Sequence, residues 1–281
     1  MSDAATPTVS VVVPSYQNAA YIVATIDSVL AQTFTDFELL VSDHSSTDGT
    51  WELLEGYTDP RITLTRCPSG GGAPANWNAV TAQATGRYIK LVCGDDLLAP
   101  DALEKQVAAL QSHPTAVLAA SRRSLIDAVG DPLMESRGLG SLTGLVPGIT
   151  AIKALVRSGT NLLGEPACVL VRRDSLASVG GWDGAQPYLI DQATYMHVLR
   201  HGDLLAVPGT LASFRLSDTQ WSVALAASQA RQAAAVHRAY GDLYPTEVTR
   251  SDVRVGNARA RVMSLARRAA YIRWRRRMVA P

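Results

Sequence analysis

Four carboxylates stand in two groups: Asp43 and Asp48 in the polar stretch DHSSTDGT, and Asp95 with Asp96 at the end of YIKLVCGDD. Adjacent carboxylates repel each other, so a pair placed after an apolar run suits a divalent cation with hard oxygen ligands, together with a polyhydroxylated ligand. The same residues also read as turn and cap residues, since Asp96 shortly precedes Pro100. Glu165, before Pro166, is either a turn residue or a carboxylate of a second site. His197 and His201 have the i, i+4 spacing of a metal-binding pair, but no third ligand adjoins them and they read as surface histidines. Gly70, Gly71 and Gly72 lack the trailing Lys-Ser/Thr of a P-loop, so a pyrophosphate-facing loop is their lesser reading. Asn76 and Asn78, on either side of Trp77, are ordinary helix polars or hydrogen-bond donors near a nucleotide.

The elements that must position these groups are legible from periodicity. Thr8–Pro14 is a β-branched run closed by proline, followed by helical spacing at Ile22, Ile26, Val29 and Leu30. Phe37–Ser42 predicts a second strand, and Thr47 or Asp48 is placed to cap a helix beginning near Trp51. Arg61–Thr65 predicts a third strand, Ala75–Ala84 a helix and Tyr88–Cys93 a fourth strand. Strands alternating with helices imply a mostly parallel sheet, in which ligands bind beyond the carboxyl ends of the strands. The loops there are Pro14–Asn18, Asp43–Asp48 and Gly94–Asp96, all polar.

The second half is less regular. It predicts a helix over Asp101–Leu110, a strand over Ala116–Ser121 and a long Gly- and Pro-rich connection over Asp127–Gly148. A strand at Ala167–Arg172, helices at Ser175–Val179 and Gln192–His201 and a late strand at Leu204–Pro208 follow. Helices over Val223–Tyr240 and Ala258–Arg277 end the chain, and no internal repeat is found.

The 281 residues, 47% hydrophobic and 18% charged, are a globular balance that argues against a disordered or collagenous protein. The N-terminus carries Asp3 and no basic n-region, and no apolar run is long enough to span a membrane, so a cytoplasmic location is expected. Cys67, Cys93 and Cys168 are too few and too scattered for a disulfide framework and read as reduced thiols. The formal charge of +1 hides an asymmetry: Val253–Pro281 holds nine arginines and no acid, against seventeen basic and twenty-five acidic residues in 1–252. In this tail Val262, Leu265, Ala269, Ile272 and Trp274 interleave with the arginines, the pattern of a basic helix that lies on anionic membranes or packs on the protein. A plain solvated helix is the alternative, and nucleic acid is not expected as a partner of so acidic a body. The segment after Arg250 is expected to be separable from the catalytic site.

VSVVVPSYQNAAYIVATIDSVLAQTFTDFELLVSDHSSTDGT resembles the opening of inverting family 2 glycosyltransferases, and GGAPANWNAVTAQATGRYIKLVCGDD resembles their second block. GEPACVLVRRDSLASVGGWDG and LIDQATYMHVLRHGD resemble the acceptor half, so that the likeness reaches about Trp221. The resemblance implies an α/β GT-A fold: a Rossmann-like, mostly parallel central sheet flanked by helices, with a C-terminal helical extension. It implies a glycosyltransferase domain over 1–222, divided into a nucleotide-sugar half (1–115) and an acceptor half (116–222), and a helical extension with a basic tail over 223–281.

By the same resemblance, Pro14 and Tyr16 shape the pocket under the base, with Asn18, Asn76 and Asn78 in the donor-binding set. Asp43 bonds the base edge or ribose, Asp95 holds the ribose or sugar, and Asp96 ligates Mg²⁺ or Mn²⁺ at the diphosphate. Asp191 matches the general base, which takes the acceptor hydroxyl's proton in a single inverting displacement. The implied partners are a nucleotide-diphosphate sugar donor and a saccharide, lipid-linked or small-molecule hydroxyl acceptor. From the basic tail, and not from the resemblance, an anionic membrane surface is a further expected partner, on the reading that makes the protein cytoplasmic and peripheral.

Three positions depart from the pattern: Cys93 replaces a frequent aspartate, Ser45 a usual glycine and Ser217 a frequent histidine. A sugar nucleotidyltransferase is the first alternative, but its first strand should lead into a Gly-rich loop with a basic residue, and PSYQN is uncharged. A non-catalytic sugar-nucleotide binding module is the second.

Overall fold

A computed structural model describes residues 6–218, 220, 225 and 228–279. The first half alternates as its periodicity predicts: β1 (Val9–Ser15), α1 (Ile22–Leu30), β2 (Phe37–Asp43), α2 (Thr50–Glu55), β3 (Ile62–Arg66), α3 (Gly72–Thr81) and β4 (Tyr88–Leu91). Every residue of β1 is buried, the mark of a strand covered on both faces. β1 pairs in parallel with β2 and β4, and β2 in parallel with β3, so these strands end at one edge of the sheet. The loops carrying Tyr16, Asp43 and Asp95 leave from that edge.

A short β5 (Leu97–Leu98) and α4 (Ala102–Ser112) lead to β6 (Ala116–Ile126), which outruns its predicted end at Ser121 by five residues. Arg122, Arg123 and Ser124 interrupt the apolar run, but β10 (Asp203–Arg215) lies parallel to β6 along this stretch and supplies the ladder. The stretch read as one long connection contains β7 (Pro132–Arg137), which pairs with β6, and β8 (Gly144–Val146), which pairs with β10. α5 (Gly148–Ser158), β9 (Val169–Arg172), α6 (Arg173–Ser178) and α7 (Ile190–Val198) complete this half. β10 runs well past Pro208; its register with β6 shifts between Ala206 and Thr210, an irregularity that accommodates a residue unable to donate to the ladder. The sheet order is β3-β2-β1-β4-β9-β6-β10-β5, with β7 beside β6 and β8 beside β10.

Two helices close the described chain, α8 (Gln229–Leu243) and α9 (Arg250–Trp274). The start predicted for the first, at Val223, falls mostly outside the described residues. The second begins eight residues before its predicted start, because Thr249 and Asp252 form a capping box: Thr249 Oγ1 accepts from the Asp252 amide, and Asp252 Oδ2 from the Thr249 amide. Asp252 also pairs with Arg157 of α5 at 2.6 Å. α9 is therefore not a detached tail. Gly256 lies so close to the Val156 carbonyl of α5 that a Cβ there would collide with it, which seats the two helices against each other.

Candidate active site

The parallel-strand edge opens into a cleft of about 1300 Å³. Pro14, Tyr16, Asn18, Asn76, Asp95 and Asp96 line it on the side of β1 and β4. The chain turns after β1 because Asn18 Oδ1 accepts from the Tyr16 amide at 3.0 Å and from Ser15 Oγ at 3.1 Å. Gly94 packs against this turn: a Cβ there would lie 2.6 Å from Asn18 Oδ1. Asp48 ties the loop after β2 to the loop after β1, its Oδ2 accepting from the Ala19 amide at 2.9 Å. Burial works to raise the Asp48 pKa, but hydrogen bonds from Thr50 and the Ala19 amide outweigh it and hold the carboxyl below its ordinary value. Ser45 has φ +57, the left-handed region where a glycine costs least, which accounts for the usual glycine at that position and not for the serine. Tyr16, 55% exposed, stands edge-on to His44 with ring centroids 5.9 Å apart.

Not every residue of the expected donor set faces the cleft. Asn76 does, and its amide donates to the Ser15 carbonyl at 3.1 Å. Asn78 is absent from the cleft wall; it donates to the Trp182 carbonyl and accepts from the Trp182 amide, joining α3 to the segment before α7. Asp43 is fully buried, with Oδ2 bonded to the Ser46 amide at 3.0 Å and paired with Arg66 at 3.2 Å. Its Oδ1 is buried with no hydrogen-bond partner among the described residues.

Asp95 and Asp96 sit at the root of the cleft. Asp95 Oδ2 accepts from Gln220 Nε2 at 2.8 Å, and Asp96 Oδ1 from the Arg215 amide at 3.1 Å. The guanidinium of Arg215 is spent on the Asp95, Asp127 and Ala128 carbonyls and lies over the Tyr21 ring. Burial, and then the charge of Asp95, push the Asp96 carboxyl well above its ordinary pKa. Asp96 Oδ2 is buried and has no hydrogen-bond partner among the described residues. An orphaned carboxylate oxygen beside a second carboxylate fits a divalent cation, with Asp96 and Asp95 the residues to hold it. No group of three or more His, Cys, Asp or Glu with metal-holding geometry occurs among the described residues, so the remaining ligands would come from substrate oxygens and water. Ser217, where the family often has a histidine, is buried and hydrogen-bonds Tyr21.

Asp191, in the first turn of α7, lines the same cleft. Its Oδ1 accepts from the Gln192 amide at 2.7 Å and its Oδ2 from Asn161 Nδ2 at 2.8 Å. Burial first, and the nearby Glu165 carboxylate among the smaller causes, push Asp191 up to about 7. Glu165 also lines the cleft and forms an ion pair with the buried Arg123. His197 is held between Asp183 (3.2 Å) and the Tyr240 hydroxyl (2.9 Å), outside this constellation.

Three contributors escape sequence reasoning: Arg123, Asn161 and Arg267. Asn161 gives no local signal, because its partner is thirty residues away. Arg267 reads as one more charge of a basic tail, yet α9 borders the cleft through Met263, Ala266, Arg267, Ala270, Tyr271 and Trp274. Arg267 donates to Tyr188 Oη at 2.6 Å and to Thr160 Oγ1 at 2.9 Å. The expectation that the segment after Arg250 is separable from the site therefore fails: its removal takes away one wall.

Residues 10–180 match the sequence model of Glycosyl transferase family 2, which is more than half of the chain. The chain belongs to that family. The glucosyltransferase WfgD of Escherichia coli, named for transfer from UDP-Glc to α-D-GlcNAc-diphosphoundecaprenol, is 39% identical over 100 residues, 35% of this chain and 39% of that protein. Chondroitin synthase of Pasteurella multocida is 40% identical over 100 residues, 35% of this chain and 10% of that one. The chain thus aligns with well under half the length of these relatives. S. aureus TarS 1-349 in complex with UDP-GlcNAc superposes with a TM-score of 0.64 at 18% identity, covering 84% of this chain and 66% of that one. The mannosyltransferase PcManGT of Pyrobaculum calidifontis, in complex with GDP-Man and Mn²⁺, gives 0.65 at 18% identity over 95% of this chain and 75% of that one. The fold is GT-A.

Proposed function

We propose that the protein is an inverting glycosyltransferase that moves a sugar from a nucleotide-diphosphate donor to a hydroxyl of its acceptor. The observation that carries this reading is the presence, in one cleft, of the Asp95–Asp96 carboxylates and a carboxyl raised to about 7. The donor lies along the β1 and β4 loops. Tyr16 and Pro14 flank the base, Asn18 and Asn76 fix the loop around it, and Asp43, buried and absent from the cleft wall, braces the end of β2 from behind through the Ser46 amide and Arg66. Asp95 orients the ribose or sugar; Asp96 and Asp95 would hold Mg²⁺ or Mn²⁺, which when bound would offset the charge developing on the leaving diphosphate.

Asp191 is the general base. A carboxyl with its pKa near 7 is ionised in enough molecules at neutral pH to accept a proton, yet basic enough to take one from an attacking hydroxyl. Asn161 holds one carboxylate oxygen and leaves the group aimed by two hydrogen bonds. Attack from the face opposite the leaving diphosphate inverts the anomeric centre. Residues 1–222 carry this chemistry, and 223–281 add the helices that border the acceptor side. Release of nucleoside diphosphate from a panel of UDP- and GDP-sugars, with and without Mn²⁺, tests the assignment: one donor turned over only with metal is expected, and nucleotide binding without turnover of any donor would favour a binding module.

The outward face of α9 supports peripheral attachment to an anionic membrane. Val262, Leu265 and Ile272 are 63%, 65% and 79% exposed, so these members of the apolar stripe face away from the protein, among exposed arginines such as Arg261 and Arg268, while Trp274 turns to the cleft. No helix among the described residues is long and apolar enough to cross a membrane. Each basic side chain near an anionic surface contributes on the order of 1 kcal/mol, screened by salt. Co-sedimentation with phosphatidylglycerol vesicles is expected for the wild type and lost when Val262, Leu265 and Ile272 are changed together to Glu. Equal sedimentation of the two would remove the membrane from the account.

A further inference from the structure

We infer that the acceptor is recognised through a phosphate group, and that Arg267 of α9 is the residue that binds it. The inference rests on the transferase reading above and adds the chemical class of the acceptor to it. Arg267 reaches the cleft with both terminal nitrogens engaged, but both partners are hydroxyls, Tyr188 Oη and Thr160 Oγ1. Its positive charge has no carboxylate partner among the described residues, in contrast to Arg123, whose charge is matched by Glu165. Hydroxyls fix the direction of a guanidinium without neutralising it, and the fork keeps N–H donors for an anion. The Tyr188 ring lies 5.8 Å below the guanidinium and restricts it further.

The position fits an acceptor subsite. Thr160 adjoins Asn161, which bonds Asp191, and Tyr188 is three residues before Asp191. A molecule whose hydroxyl meets Asp191 therefore has Arg267 in the wall of the same cleft. Two further arginines line the same cleft, Arg122 and Arg137, from the β6–β7 hairpin; both are exposed, and neither has an ion-pair partner among the described residues. With Arg267 they give the cleft three guanidinium groups that have no ion-pair partner among the described residues. Planar, multidentate donors of this kind suit phosphate oxygens better than neutral sugar hydroxyls. Phosphate of this kind comes from a diphosphate-linked lipid or from a polyol-phosphate chain.

The test compares acceptors that share one hexose: the neutral phenyl glycoside, the hexosyl diphosphate of phenoxyundecanol and a hexosyl glycerol-phosphate oligomer. With the donor found by the panel, at least one phosphorylated acceptor should have a KM at least about tenfold below that of the neutral glycoside. R267Q should bring that ratio to within about twofold of unity, and R267K should retain part of it. A preference for the diphosphate points to the lipid-linked source, and for the oligomer to the polymer. Equal KM values for neutral and phosphorylated acceptors, or an R267Q defect of the same factor on all three, would overturn the inference, since anchoring α9 is then all that Arg267 does. If no donor is turned over, the transferase reading fails separately. Equilibrium binding of phenoxyundecyl diphosphate then decides: binding by the wild type weakened at least about tenfold in R267Q supports the phosphate site, and equal or absent binding refutes it.

Discussion

Asp191→Asn is expected to lower turnover by roughly 10²–10⁴-fold while leaving the dissociation constant for the nucleotide donor nearly unchanged. In the proposed mechanism the base acts only on the acceptor's proton, and Asp191 lines the cleft from α7 rather than from the loops after β1 and β4. Turnover of the wild type should rise with pH through about 7 as Asp191 ionises, and that limb should vanish in the Asn variant. Stability provides an independent check. The folded-state pKa of about 7 is above the roughly 3.9 of an unfolded aspartate, so this group's contribution to stability is present below about 4 and lost as pH rises through about 7. The melting temperature of Asp191→Asn relative to wild type should therefore be higher at pH 8 than at pH 4. Asp191 also lies in the first turn of α7, where a purely structural carboxylate is easily replaced by Asn. More than about a tenth of wild-type turnover in the Asn variant would favour that structural role.

Asp96→Asn is expected to be nearly as damaging, for a different reason. The amide keeps the shape and still accepts from the Arg215 amide, but it removes the charge that holds a cation beside the diphosphate. Loss of a metal-held leaving group should cost at least about 10²-fold in turnover at low Mn²⁺. Without metal, the variant should be more stable than wild type at pH 8, because burial next to Asp95 disfavours a second negative charge. With Mn²⁺ and nucleoside diphosphate the order should reverse: the wild type gains melting temperature through binding, and the variant gains little. Full turnover at low Mn²⁺, or an equal thermal shift in both proteins, would remove Asp96 from the metal site.

The first hundred residues were legible because parallel strands buried on both faces give unbroken apolar runs, such as VSVVVPS, that end in polar loops. Those ends are where Asn18, Asp95 and Asp96 stand. The far end of β6 is not legible because Arg122 and Arg123 break its apolar run, and only the pairing with β10, with the Glu165 counter-charge for Arg123, makes them strand residues. Asn76 and Asn78 stand two positions apart on one helix and so face nearly opposite ways, and which of the two turns to the cleft is decided by the distant Trp182 backbone that holds Asn78. The basic tail was recognisable as an amphipathic helix, but the sequence could not tell which face packs inward. Small residues at Gly256, Ala260 and Ser264 bury one side, which carries Arg267 to the cleft and leaves Val262, Leu265 and Ile272 outside.

The anomeric configuration of the transferred sugar tests the central claim most directly. With the donor and acceptor identified by nucleoside diphosphate release, proton NMR of the first-formed product reads the coupling at the anomeric centre. One carboxyl acting as base on the face opposite the leaving diphosphate predicts inversion, so an α-linked donor sugar gives a β-linked product. A product that retains the donor's configuration would contradict single displacement with Asp191 as the base.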